Sequence, residues 1–508
     1  MSRSFLAGSV LAAAFSAAAT EPPNGAIRAE VCTVSSASLP VANARLLAFG
    51  NYRGPSASRN AEAQRFFDQG LVFGWGFDFA EAVRSFRAAS QLDAACALCR
   101  WGIAWALGPS INHDMNPADL PVALDAIVQA RVAAPPGSRE RALIDALAKR
   151  YSAQRDSDSL SVAYADAMAA LAKRYTDDAD IAVLAAEAAM NAHVYDYWRA
   201  DGKPQAWTPP IIAWLDRALS LAPAHPGAHH YRIHLFEDSP QHEQALPSAM
   251  RLGTLAPMVS HLVHMPSHIF FRMGRYREAV AANEAAVRAD HEYGAASGAR
   301  SEYAIHNLHY LWVSALWSGD DDVAVRAADQ LAAAAGAEEQ SGARQHFLAA
   351  PLLTQVRLQQ WSLVQDNPDN GFHLRGLTHF AMGRAHAARG DVAAARMRLQ
   401  SLQHASRAAR DAGLKVKNVH RASDVLTVAA LQLQSGIATA AHRSADAVRF
   451  ARAAVAAEDR LVADDPPVWP LPSRHMLGEA LLRADRFAEA RKVFGADLKR
   501  YPQNCVAL

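Results

Sequence analysis

Leu221-Ala222-Pro223 recurs 34 residues later as Leu255-Ala256-Pro257, and this period constrains the fold more than any other feature of the chain. Such a length holds two antiparallel helices with their turns, a unit that cannot bury its apolar face alone and must stack on its neighbours. The hairpin is plainest in HMPSHIFFRMGRYREAVAANEAAVRAD, from His264 to Asp290. Gly274-Arg275-Tyr276 makes the turn, Ala279 is the small residue where the helices approach, and Asp290 is expected to end the second helix. Similar hairpins run from Gly70 to Asp93, Leu377 to Leu399 and His475 to Phe494. Alanine dominates these stretches and β-branched residues are sparse, which favours helix over strand.

These hairpins resemble the tetratricopeptide-repeat class over most of residues 61–505. The expected fold is therefore all-α, a tetratricopeptide-type α-solenoid of stacked antiparallel helical hairpins. The expected division is a signal peptide at 1–19, an extended lead-in at 20–60, an N-terminal array with a histidine cluster at 61–364 and a C-terminal array at 372–508. QDNPDNG (365–371) is the expected hinge between the arrays. Two further stretches break the period: the aromatic insertion DYWRADGKPQAWTPP (196–210) and the Pro-rich DDPPVWPLP (464–472), read as a rigid loop.

Charge narrows the function. The chain carries 51 Lys and Arg against 50 Asp and Glu, with no basic run, so nucleic acid is not expected as a ligand. Arg3, the apolar Phe5 to Ala14 and the small Ala17-Ala18-Ala19 before Thr20-Glu21-Pro22-Pro23 read as a cleavable export signal, with a membrane anchor as the alternative. No later stretch is long and apolar enough to span a bilayer, so the expected location is periplasmic or secreted, with no stable membrane insertion. Four cysteines (Cys32, Cys96, Cys99, Cys505) would then meet an oxidising compartment. Cys96 and Cys99 form a C-x-x-C that lacks the following His of a haem attachment site. A disulfide within the pair is the favoured reading; a metal or redox role and two plain thiols remain open.

Eleven of the 21 histidines lie between His225 and His309. Their register is more telling than their density. His230 and His234 shifted by 34 become His264 and His268, so two successive repeats carry the same i, i+4 pair on one helical face. His261 joins this set in HLVHMPSHIF, placing three imidazoles on one stripe. Aligning the turn Gly319-Asp320 with Gly274-Arg275, an offset of 45, carries His261 to His306 and His264 to His309. First helices of neighbouring repeats pack about 8 to 10 Å apart, so their imidazoles can meet on one cation at about 2 Å. His230, His234, His261, His264, His268, His306 and His309 are the candidate metal ligands. The alternative is a hydrogen-bonded polar groove or a pH-responsive interface, although burying so many imidazoles together is costly unless something binds them. Glu237 and Asp238, one turn beyond His234, are candidate catalytic carboxylates, as ligand or proton shuttle. The metal is copper, iron or zinc, with one or more ions possible.

Other residues carry weaker signals. His113, in a loop after Trp101 and Trp105, is a possible extra ligand. His193, near Tyr195, Asp196 and Trp198, has aromatics that wall a pocket or fill a core. Arg272, one turn from His268, is an anchor for an anionic group or a solvated surface residue. Asn283 reads as structural, and His379, His386 and His475 as ordinary.

HHYRIHLFEDS, HLVHMPSHIFFRMGRYREAVAANEAA and AIHNLHYLW, after CALCRWGIAWALGPSIN, resemble a group of exported bacterial tetratricopeptide proteins with HxxHMPSHI and HNLHxL motifs. The resemblance implies a shared site at these histidines and no particular reaction. Asn112-His113-Asp114, more polar than that pattern, and the short end at Leu508 depart from it. The expected function is a metal-dependent enzyme, an oxidoreductase, oxygenase or hydrolase, acting on a small molecule or peptide in the concave groove. The alternatives are a scaffold for a peptide or protein partner and a periplasmic metal-delivery protein. No nucleophile motif, phosphate loop or nucleotide fingerprint suggests another chemistry.

Overall fold

The computed structural model describes residues 44–153, 157–336, 341–366, 371–417, 419–461, 464–504 and 506–507. The expected signal peptide, the start of the lead-in, Cys32 and Cys505 lie outside them. Within them the chain is an all-α solenoid of antiparallel hairpins, from the pair Ala61–Trp75 and Phe79–Leu92 to the pair Ser473–Leu482 and Phe487–Arg500. A two-stranded antiparallel hairpin pairs Lys415 with Arg421 and Val416 with His420.

Local chemistry sets the element ends. Asn60 accepts hydrogen bonds from the backbone N–H groups of Glu62 and Ala63, and Asp178, Asp320 and Asp391 cap later helices in the same way. Asp290 does not end its helix, contrary to expectation. Tyr276–Ser297 runs on to Gly298, which adopts the left-handed conformation that glycine favours at a C-terminus. Asp290 instead turns sideways and accepts from the side-chain amide of Asn307 at 2.9 Å.

Two large apolar cores share most of the solenoid, one drawing on residues from Phe49 to Tyr303 and the other from Phe271 to Tyr501, with smaller clusters around Leu477 and Val263. Leu353 and Leu374, on either side of residues 365–371, belong to the same core. Both outer parts of the chain fold back onto the histidine-bearing repeats. Gly227 lies so close to the fully buried Trp75 ring that a Cβ there would sit 2.7 Å from ring carbon Cδ2. This approach lets the Pro226–Phe236 helix meet the end of Ala61–Trp75. At the other end, Gly274 faces the carbonyl of Pro502, 2.1 Å from where a Cβ would stand, and Tyr501 packs on Trp317 with ring centroids 4.2 Å apart. Cys96 and Cys99 are joined in a disulfide at the start of Ala97–Leu107.

Candidate metal centre

The expected single stripe of His261, His264 and His268 is divided. Pro266 has no N–H to donate, so the segment is two short helices, Ser260–His264 and Pro266–Arg272, meeting at Met265. His264 and His268 stay together across the joint. His261, a turn earlier, faces the preceding repeat. Two groups result, His230 with His234 and His261, and His264 with His268 and His306, each with ligand atoms within 4.8 Å of one another. The second repeats the first along the solenoid: the 34-residue shift carries His230 and His234 to His264 and His268, and the 45-residue shift carries His261 to His306. Each group thus takes an i, i+4 pair from one repeat and a single histidine from the next.

Which ring nitrogen faces inward is set by what holds the other one. His230 Nδ1–H donates to the carbonyl of Trp75 at 2.5 Å, and His234 Nδ1–H donates to Glu237 Oε1 at 2.9 Å. His264 Nδ1–H donates to Asn283 Oδ1 at 2.6 Å, and the Asn283 amide is oriented by its own donation to the Ala279 carbonyl. His268 Nδ1 lies 2.6 Å from Glu237 Oε2 in an ion pair. In all four rings Nε2 is left as the inward nitrogen. His264 Nε2 is 2.9 Å from His268 Nε2 and 3.0 Å from His306 Nε2. In the other group, Nε2 of His230 and His234 and both nitrogens of His261 have no hydrogen-bond partner.

Burial pushes His230, His261, His264 and His306 well below the usual imidazole range, which keeps their lone pairs available. Burial also works against charge on His268, but the adjacent Glu237 carboxylate outweighs it and raises the ring. Two bare Nε2 lone pairs at 2.9 Å repel, so a positive centre belongs between His264 and His268. A proton fills that role in one state and a metal ion in another. Tetrahedral coordination at about 2.05 Å separates ligand nitrogens by about 3.3 Å, a few tenths more than these rings show.

The carboxylates take distinct parts. Burial alone would raise Glu237, but His234 and His268 hold it well below the usual carboxylate range. Its two oxygens face one ring from each group, which makes it a positioning residue shared by both. Asp238 lines the cavity, and burial pushes it up to about 6 against the pull of Arg272. Arg272 donates to Asp238 at 2.8 Å and to Asp465 at 2.9 Å, so the expected anion anchor is already neutralised within the fold. Asp465 is brought from the Pro-rich loop 464–472 and forms a third potential ligand group with Glu237 and His268.

The groups open on a cavity of about 760 Å³, lined by His234 and His261 from one and by His268 and His306 from the other. Phe79, Met115, Ile305 and Phe347 give it apolar walls. Tyr195 donates its hydroxyl to Asn112 Oδ1 at 2.7 Å, and the Tyr303 ring stacks on His261 with centroids 3.9 Å apart. His113 lines the same cavity next to Ser110 and belongs to neither group. His193 stacks on Trp207 at 3.8 Å, a packing role. His309 also lines the cavity but turns to the following repeat, its ring 6.0 Å from His346. His346 Nδ1 in turn lies 3.2 Å from His373 Nε2, a buried pair outside the expected set. Among the described residues no helix is long and apolar enough to cross a membrane.

The fold and this arrangement define a tetratricopeptide-type solenoid with histidine and carboxylate groups able to hold metal. Among solved structures, the chain is similar to yeast Tom70, at 10% identity and a TM-score of 0.29, over 87% of this chain and 86% of that one. It is similar to a human IFIT1 dimer with PPP-AAAA at 11% identity and a TM-score of 0.31, over 87% and 92%. For the P58(IPK) TPR domain the values are 11% and 0.23, over 88% and 95%. With TM-scores of 0.31 and below, these likenesses carry no argument about what the chain does. No family model matches the chain, and no curated protein matches it.

Proposed function

We propose that this protein binds one transition-metal ion in each three-histidine group and acts as a metal-dependent enzyme on a small molecule held in the adjoining cavity. One observation carries the reading: Nδ1 of His230, His234 and His264 is hydrogen-bonded to a fixed acceptor and Nδ1 of His268 is ion-paired with Glu237, so four Nε2 atoms face inward before any ion arrives. Three nitrogens per ion leave coordination positions for substrate or water. Asp238, on the cavity wall and hydrogen-bonded to Arg272, is placed to take or give a proton. Export is part of the proposal, and the Cys96–Cys99 disulfide suits an oxidising compartment.

The helical-repeat scaffold favours a second reading, a non-catalytic array that binds a peptide or protein in the same cavity. Elemental analysis separates the two. The protein is purified without a metal-affinity tag beside His230→Ala/His234→Ala and His264→Ala/His268→Ala variants. Two equivalents of metal in the parent and one in each variant support the metalloprotein. A parent that takes up no copper, iron or zinc on titration leaves the partner-binding array.

A further inference from the structure

We infer that the paired groups take copper, one ion in each, loaded in the monovalent state, and that the filled pair passes two electrons to dioxygen. This rests on the metal reading above and deepens it by naming the metal and the co-substrate.

The donor set comes first. Every inward atom of the two groups is an imidazole nitrogen, with no thiolate or carboxylate among them. Imidazole suits zinc, copper, iron and nickel, and copper heads the divalent affinity order. Three neutral nitrogens also satisfy monovalent copper, a d10 ion content with low coordination numbers.

Charge then discriminates. Glu237 is the carboxylate in contact with both groups, and its oxygens already face ring nitrogens. Asp238 and Asp465 are drawn to Arg272. Rings of opposite groups lie close, with centroids 5.9 Å apart for His234 and His268 and 5.7 Å for His261 and His264. Two divalent ions would bring four positive charges into this buried place. Repulsion scales with the product of charges, so two monovalent ions repel about a quarter as strongly. The desolvation cost, which grows with the square of charge, falls in the same direction.

Access points to the co-substrate. Both groups present rings to one cavity, so a diatomic molecule can approach both ions from the same side. Each ion gives one electron and becomes divalent, and the repulsion between the two divalent ions makes this the short-lived state of the pair, which favours its return to the monovalent one. Dioxygen takes the two electrons with two protons from solvent and leaves as hydrogen peroxide, two Cu(I) and O2 with two H+ yielding two Cu(II) and H2O2. An organic two-electron donor in the cavity, such as a dihydroxybenzene, returns the pair to the monovalent state and is itself oxidised.

The test loads the metal-free full chain anaerobically with Cu(I) against a chromogenic Cu(I) chelator, and in parallel with Zn(II). Dioxygen is then admitted. The expected result is two Cu(I) per chain, tighter binding than Zn(II) in direct competition, and one dioxygen consumed per chain as both ions oxidise. His234→Ala and His306→Ala variants, checked for folding by circular dichroism, should hold fewer ions and oxidise at least tenfold more slowly. Two Zn(II) bound more tightly than copper would overturn the inference and leave the metal reading standing. Equal oxidation rates in parent and variants would do the same. A chain that binds neither metal would overturn both.

Discussion

The amide oxygen of Asn283 lies 2.6 Å from Nδ1 of His264, and this contact decides which nitrogen His264 turns toward His268 and His306. Asn283 is fully buried on the neighbouring helix of the same hairpin and has no direct access to an ion. Replacing it with Leu removes the nearer acceptor, leaves Nδ1 only its 3.3 Å contact with Ser267 Oγ, and so loosens the ring. The expected effect is a 10- to 100-fold loss of affinity for one equivalent of metal, with the other unchanged. Chelator competition on Asn283→Leu reads this directly, and an equal loss of both equivalents would contradict it.

Gly227 gives the matching prediction for the other group. A methyl at this position meets the Trp75 ring at 2.7 Å, and the ring is fully buried with nowhere to move. Gly227→Ala should cost about 1–3 kcal/mol of stability through overpacking. It should also pull His230 away from the Trp75 carbonyl, so the group of His230, His234 and His261 loses its ion while the second group keeps its own. Thermal unfolding with metal stoichiometry checks both parts.

Glu237 is predicted to act on both groups at once. Its two oxygens serve His234 and His268, and Glu237→Gln removes the charge and replaces one acceptor with an amide donor. Both equivalents should weaken, each by about 10-fold or more. Cobalt(II) substitution provides a second readout, because the visible spectra of both bound ions should change together. A spectrum altered at one ion only would show that the carboxylate does not couple the groups.

Glu302 supplies a pH prediction away from the ligands. Burial, with the nearby Asp78 charge adding to it, pushes its carboxyl up to about 8. The folded chain therefore holds this proton more tightly than the unfolded one. The resulting stability is complete below the ordinary glutamate range and is lost as pH rises through about 8. Glu302→Gln mimics the protonated form at every pH. Its melting temperature should match the parent only below about pH 4, exceed it increasingly from there to about pH 8, and keep a constant lead above that. A difference that stayed constant between about pH 4 and about pH 8 would show that Glu302 is not held protonated.

The parts of this site legible in the sequence are those generated by the repeat itself. A shift of 34 residues finds His264 and His268 from His230 and His234, because equal rungs on stacked helices face the same way. The same logic failed at His309. Its alignment rested on an offset of 45 through a longer hairpin, and the ring turns toward His346 instead. Other partners leave little trace in sequence. The acceptor for His230 is a backbone carbonyl at Trp75, which has no residue signature. Asn283 reads as one more polar residue on a helix until its neighbour is known. Asp465 sits 193 residues from Arg272, in a loop whose Pro content speaks of rigidity and not of where it lies. Pro266 was visible all along, and its missing N–H accounts for the parting of His261 from His264 and His268.

The salt link between Arg272 and Asp465 has a consequence for how the molecule comes into being. All six histidines of the two groups have been synthesised once residue 306 is made, whereas the loop that reaches back to them follows more than 150 residues later. A nascent chain therefore presents its imidazoles before the wall beside them exists. Pairings so distant in sequence are among the slowest to form, because chain entropy is spent before the contact rewards it. Export of an unfolded chain would postpone that exposure until synthesis is over, and the metal would then be chosen by the compartment where folding finishes.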